Sequence, residues 1–129
     1  MMLIDSNIVI YASQTEHGDL RQFIADNSPV VSAVSYVEVL GFHRLTAEDK
    51  THFEEFFAAA TVLPLTQAVL NYAVQLRQIR KMSLGDSLIA ATCLSLGLTL
   101  VTRNTQDFSW VANLNIFNPF ELSEQKSID

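Results

Sequence analysis

The sequence predicts a single α/β domain with a central, mostly parallel sheet of about five strands and helices on both faces. Short apolar segments alternate along the chain with longer segments of helical periodicity, a pattern typical of parallel sheets. The chain has 129 residues, of which 49 % are hydrophobic, and its eight Phe help to fill one core. Four Gly and three Pro leave little sequence for linkers or a second domain.

The individual elements follow from apolar periodicity and from the residues that stop it. We expect strands at 3–4, 30–31, 61–65, 99–102 and 115–117. Helices are expected after Asp5, over 17–27, after caps at Ser35 and Thr46, over 66–81, and from Leu84 onward. The last of these helices has Ser83 as its predicted N-cap and Gly97 as a left-handed stop.

Composition and charge exclude several classes of protein. A formal net charge of −6 argues against a general nucleic-acid coat protein, but not against an enzyme that acts on nucleic acid. The longest uncharged stretch, 87–102, is too short for a membrane span, and the N-terminus lacks the basic region of a signal peptide. A single cysteine, Cys93, on an apolar helix face suits a core position in a cytoplasmic protein.

Four acids stand where parallel sheets place their ligand sites. Asp5 ends the first predicted strand, Asp107 follows the fourth, and Glu38 and Asp86 occupy first turns of predicted helices. Each acid also has a local explanation as part of a helix cap or turn, and one acid considered alone leaves that alternative open. Together they predict a carboxylate cluster, whose mutual repulsion a divalent cation would relieve. Ligands that are all oxygen favour Mg²⁺ or Mn²⁺ over zinc.

The ordered motifs resemble those of the PIN-domain ribonucleases, most closely the VapC-type toxins of bacterial toxin–antitoxin pairs. The matching segments are 2–7, 35–38, 85–92 and 100–108, with a weaker match at 118–120. The resemblance implies a PIN-like nuclease domain over 1–122, with 123–129 as a polar tail. It also implies a Mg²⁺- or Mn²⁺-dependent endoribonuclease that hydrolyses phosphodiester bonds.

The resemblance assigns roles residue by residue. Asp5 and Asp86 are expected to bind the metal directly, and Glu38 and Asp107 to bind a second ion or orient water. Support to the cluster or to the scissile phosphate is expected from Ser6 and Asn104. Charge and place in the chain, and not the resemblance, give the candidates for contacts with RNA phosphates: Arg77, Arg80 and Lys81 before the helix that starts at Leu84, and Arg103 after the fourth strand. For Arg80 and Lys81 the alternative is a solvated helix end, where cations complement the dipole.

Further expectations concern partners and rival functions. The resemblance implies a homodimer, and the net charge suits a cognate antitoxin with a basic segment. One rival is a PIN-fold module that binds a partner without catalysis. Another is an aspartyl-nucleophile phosphotransferase of the haloacid-dehalogenase kind, although Asn7 stands where such enzymes need a second acid. A metal-dependent cleavage assay distinguishes these three possibilities.

Overall fold

The computed structural model describes residues 1–121, and their strands are all parallel. Strand β1 (Met2–Ile4) lies beside β4 (Thr99–Val101), which pairs with β5 (Ile116–Phe117). Strand β2 (Val31–Ser32) pairs with β3 (Val62–Leu63), and a single bridge between Leu3 and Val30 joins this pair to β1. The order across the molecule is therefore β3-β2-β1-β4-β5, which confirms the predicted α/β class and strand number.

Six α-helices connect these strands, and most begin at a side-chain cap. Their bounds are α1 (Ser6–Ala12), α2 (Gly18–Asn27), α3 (Ala33–Leu40), α4 (Ala47–Ala59), α5 (Gln67–Ile79) and α6 (Leu84–Leu96). Thr46, Thr66 and Ser83 each accept a hydrogen bond from the third residue of the helix they precede. None of the described helices has the length and apolarity needed to cross a bilayer.

Successive strand residues point to opposite faces, which gives the core two parts. Leu3 and Leu100 pack with α5 and α6, whereas Ile4 and Val101 pack with α1 to α4. Both parts are made largely of buried aliphatic side chains. The sheet is therefore covered by helices on both faces, as the sequence predicts, and its carboxyl edge remains between them.

The expected helix start at Ser35 is wrong. The cap is Ser32, whose hydroxyl accepts from the amide of Val34, so α3 begins three residues earlier. Ser35 is buried inside α3, and Glu38 is the sixth of its eight residues and lies beyond the first turn. Ser35 and Glu38 therefore do not form a capping box. The predicted tail at 123–129 lies outside the described residues.

Candidate active site at the carboxyl edge of the sheet

Asp5 lies where β1 ends and α1 begins, and the residue is only 5 % exposed. Oδ1 accepts a hydrogen bond from the amide of Ile8 at 3.0 Å, which caps α1. Oδ2 accepts from the hydroxyl of Thr102 at 2.5 Å, directly after the neighbouring strand β4. The Thr102 hydroxyl in turn accepts from the amide of Asn104 at 3.1 Å. Parallel pairing of β1 with β4 therefore fixes the orientation of Asp5.

Glu38 extends from α3 toward the start of α1. The Ser6 hydroxyl donates to Oε1 of Glu38 at 2.7 Å and also lies 2.9 Å from Oγ of the buried Ser35. On its other side, the Glu38 carboxylate lies against Gly85 in the first turn of α6. Three helices thus meet at one carboxylate.

Asp86 and Asp107 complete the set of acids. Asp86 is half-buried in the first turn of α6, where its amide donates to the Ser83 hydroxyl at 3.1 Å. This bond confirms Ser83 as the cap of α6. Asp107 ends an exposed 3-10 turn, Thr105–Asp107, that follows β4.

Two of the four acids, Asp5 and Asp86, have a pKa raised by burial and, to a smaller extent, by the charges of neighbouring acids. Burial raises the pKa of Asp5; hydrogen bonds from Thr102 and Ile8 oppose the rise, and the charges of Asp86 and Glu38 add to it. Burial also raises the pKa of Asp86; the Ser83 hydroxyl opposes this, and the charges of Asp107 and Glu38 add to it.

The four acids have the chemistry of a site for a divalent cation. Among residues 1–121 the ion pair is Lys50 with Glu54, so no cation there forms a salt bridge with the four acids. Within the same range, no three Asp, Glu, His or Cys side chains already lie in ligating positions. The donors fit a hard divalent cation because they are all carboxylates and lack a compensating charge. An ion held by three of these carboxylates at once would require them to move from the positions described here.

The four candidate basic side chains have different surroundings. The Arg103 guanidinium, adjacent in sequence to Thr102, lies over the rings of Phe120 and Tyr11, at 4.3 and 5.3 Å from their centroids. Arg80 lies 5.1 Å from the ring centroid of Trp110, and Arg77 donates to the carbonyl of Met82 at 3.4 Å. Lys81 is exposed beyond the end of α5. Stacking restricts the orientation of Arg103 beside the site.

Three residues of the site have roles that the sequence did not reveal. Thr102 donates to Asp5, Ser35 lies beneath Ser6, and Gly85 lies against Glu38. The position of Thr102 at the end of a strand next to β1 is a signal that could have identified it. Ser35 and Gly85 required the spatial contact of α1, α3 and α6.

Cys93 lies apart from this edge of the sheet. It is buried in the part of the core under α5 and α6, and burial raises its pKa to about 12. The thiol is therefore an inert core group, as predicted.

Comparisons with known proteins agree with the fold. A family model described as PIN domain matches residues 2–114. The chain is similar to the DNA-bound VapBC of Salmonella typhimurium, with a TM-score of 0.81, 19 % identity, and 92 % of this chain and 99 % of that chain covered. For VapBC2 from Rickettsia felis, bound to a promoter DNA fragment, the values are 0.78, 19 %, 91 % and 97 %.

A toxin–antitoxin complex from Klebsiella pneumoniae is also similar, with a TM-score of 0.74, 24 % identity, and 92 % and 98 % coverage. At these identities the solved structures establish the fold alone. A comparison with curated protein sequences gave no significant match. Since the PIN family model matches most of the sequence, over the strands and helices just described, the chain belongs to the PIN-domain family.

Proposed function

We propose that this protein is a Mg²⁺- or Mn²⁺-dependent endoribonuclease and the toxin of a type II toxin–antitoxin pair. The observation that carries the proposal is the grouping of four acids at the carboxyl edge of the sheet, two of them with a raised pKa. Burial and neighbouring charges raise the pKa of Asp5 and of Asp86, so the fold disfavours the ionised form of these two carboxyl groups. A surface that served only to bind a partner would gain nothing from this arrangement.

In the proposed site, Asp5 and Asp86 hold the ion directly, and Glu38 and Asp107 bind a second ion or orient water. A bound divalent ion would supply the charge that activates water and stabilises the transition state of phosphodiester hydrolysis. The protein's own contribution is to orient two of these carboxylates. The Thr102 hydroxyl and the Ile8 amide hold Asp5, and the Ser6 hydroxyl holds Glu38.

The substrate contacts proposed around this site are made by cations and one amide. Arg103 can direct its guanidinium N–H groups toward a phosphate while Phe120 and Tyr11 hold its plane. Arg77, Arg80 and Lys81 follow one another at the end of α5, just before α6 returns to the site. Asn104 is exposed after β4 and is available to donate to the scissile phosphate.

We also propose a homodimer and an antitoxin partner with a basic segment. Helices α3 and α5 expose apolar side chains, including Val37 at 66 % and Val74 at 56 %, which favours self-association. The net charge of −6 favours a cationic partner. Light scattering that finds only monomer across micromolar concentrations would contradict the dimer. Full nuclease activity with the cognate partner bound would contradict inhibition by an antitoxin.

The decisive experiment measures cleavage of labelled single-stranded RNA by purified protein with Mg²⁺, with Mn²⁺ and with EDTA. We expect cleavage with either ion and none in EDTA. Asp5→Asn and Asp86→Asn should each abolish cleavage, because each replaces a charged carboxylate that is a proposed metal ligand with a neutral amide. Asp49→Asn is the matched control, since Asp49 is exposed and is the third residue of α4, as Asp86 is of α6.

Three results would overturn the proposal. Cleavage that is equally fast in EDTA would exclude the metal mechanism. Loss of RNA cleavage in Asp49→Asn would attribute the inactivation of Asp86→Asn to the removal of a helix charge. A folded wild-type protein that binds its partner and cleaves no RNA with either ion would favour the interaction module.

A further inference from the structure

The carboxylate of Glu38 is confined from two sides. The Ser6 hydroxyl donates to Oε1 at 2.7 Å, which holds one oxygen toward the start of α1. The other oxygen, Oε2, faces Gly85. A Cβ atom built on Gly85 would lie 2.5 Å from Oε2, 3.1 Å from Cδ and 3.3 Å from Oε1. The carboxylate therefore occupies the space that a side chain at position 85 would need.

Backbone conformation does not explain the glycine. Among the glycines of residues 1–121, Gly97 has a positive φ and Gly85 does not. Gly85 is the second residue of α6 and has a helical backbone. Within a helix, glycine is less favourable than alanine because it loses more conformational freedom on folding. The contact that requires a missing side chain at position 85 is the one with Glu38.

We propose that Gly85 is a positioning residue, whose absent side chain lets Glu38 reach the acid cluster while bonded to Ser6. The catalytic consequence rests on the proposed nuclease function, but the placement of Glu38 rests on geometry alone. Alanine at position 85 would push away the end of a flexible side chain and leave the backbone in place. The fold should therefore tolerate alanine, while the Ser6–Glu38 hydrogen bond should break.

The test compares Gly85→Ala with Gly18→Ala. Gly18 is also in the first turn of a helix, and a Cβ there would meet only Nη2 of Arg21, at 3.5 Å. Both variants should melt within about 4 °C of wild type, since a helical glycine-to-alanine change is small. In Gly85→Ala we expect RNA cleavage to fall about 10- to 100-fold, the range expected when a site group is misplaced. Gly18→Ala should cleave at the wild-type rate.

A second comparison uses Glu38→Ala. If Gly85 acts only through Glu38, the double variant Gly85→Ala/Glu38→Ala should be no slower than Glu38→Ala alone. Equal fractional losses with and without Glu38 would overturn the proposal. Wild-type cleavage by Gly85→Ala would also overturn it.

A third measurement is independent of activity. In protein carrying ¹³C-labelled glutamate, the Glu38 carboxyl resonance, assigned from its absence in Glu38→Ala, should shift in Gly85→Ala and stay in place in Gly18→Ala. An unshifted resonance in Gly85→Ala would refute the placement whether or not the protein cleaves RNA. A shifted resonance with an inactive wild type would retain the placement of Glu38 and refute the nuclease function.

Discussion

Asp5 shows that a helix cap and a member of an acid cluster can be the same residue. Its Oδ1 caps α1 through the Ile8 amide, as the local sequence suggests, while Oδ2 accepts from Thr102 on the neighbouring strand. A cap requires only one oxygen, so the second is available for a long-range contact. The local explanation therefore holds for Asp5 without excluding a role in the site.

The raised pKa of Asp86, caused first by burial and then by the charges of Asp107 and Glu38, predicts that Asp86→Asn stabilises the metal-free protein. The folded protein raises the pKa of Asp86 above its ordinary value of 3.8. The contribution of Asp86 to the unfolding free energy is therefore favourable below pH 3.8 and is lost as pH rises through the raised pKa of the folded state. At pH 7 in EDTA the variant should melt at a higher temperature than wild type. The gain should shrink as pH falls toward 3.8, where Asp86 becomes protonated.

Asp49→Asn separates this effect from that of the helix dipole. Both acids follow a hydroxyl cap by three positions, but Asp49 is exposed. Removing its charge should lower the unfolding free energy by about 0.3–1 kcal/mol. If Asp86→Asn melts lower by a similar amount, Asp86 acts as a first-turn acid and not as a strained member of the cluster.

The hydrogen bond between Thr102 and Asp5 predicts a large cost for Thr102→Val. The isosteric change removes a donor from a buried carboxylate, and we expect a loss of about 1.5–3 kcal/mol in chemical denaturation at pH 7. Thr92 is equally buried, but its hydroxyl donates to the helix carbonyl of Leu88. Thr92→Val should therefore cost less than about 1 kcal/mol. Equal losses of unfolding free energy in the two variants would mean that the hydrogen bond from Thr102 to Asp5 stabilises the fold no more than an ordinary helix hydrogen bond.

At the scale of elements, α6 joins the site to the sheet and both of its ends are specified. Ser83 caps the start, and Gly97 ends the helix with φ of 67°. A Cβ at Gly97 would meet nothing within 4 Å, so the effect of a substitution is confined to the backbone.

Gly97→Ala should therefore lower the unfolding free energy by about 1–2 kcal/mol, the cost of a left-handed non-glycine residue. Gly97→Asn should cost less, because asparagine tolerates this conformation better. Urea denaturation at pH 7 measures both. An alanine variant as stable as wild type would show that the helix end can relax.

Helix α3 shows where local signals mislead. Ser32 and Ser35 are both acceptable caps, and only Ser35 is followed three residues later by an acid. The structure uses Ser32 because β2 ends there, and packing then buries Ser35. The pairing of β2 with β3 thus overrides the stronger local motif.

For the whole molecule, the proposed metal site predicts stabilisation by mass action. At a free Mg²⁺ or Mn²⁺ concentration one hundred times the Kd, the unfolding free energy should rise by about 2.7 kcal/mol. Asp5→Asn should lose this gain and Asp49→Asn should keep it. Protein concentrations must be matched, because dimerisation would also shift the midpoint. Equal stabilisation of Asp5→Asn would place the ion elsewhere.

The sequence by itself determined the α/β class, the approximate elements and the motifs that indicate a PIN domain. Period and capping are local properties, so Ser83, Thr46 and Gly97 could be read from their neighbours. The contacts of the site could not. Thr102 lies 97 positions from Asp5, and Gly85 lies in a different helix from Glu38. Only strand pairing and helix packing bring these groups together, because hydrogen bonds and steric contacts depend on distance in space rather than along the chain.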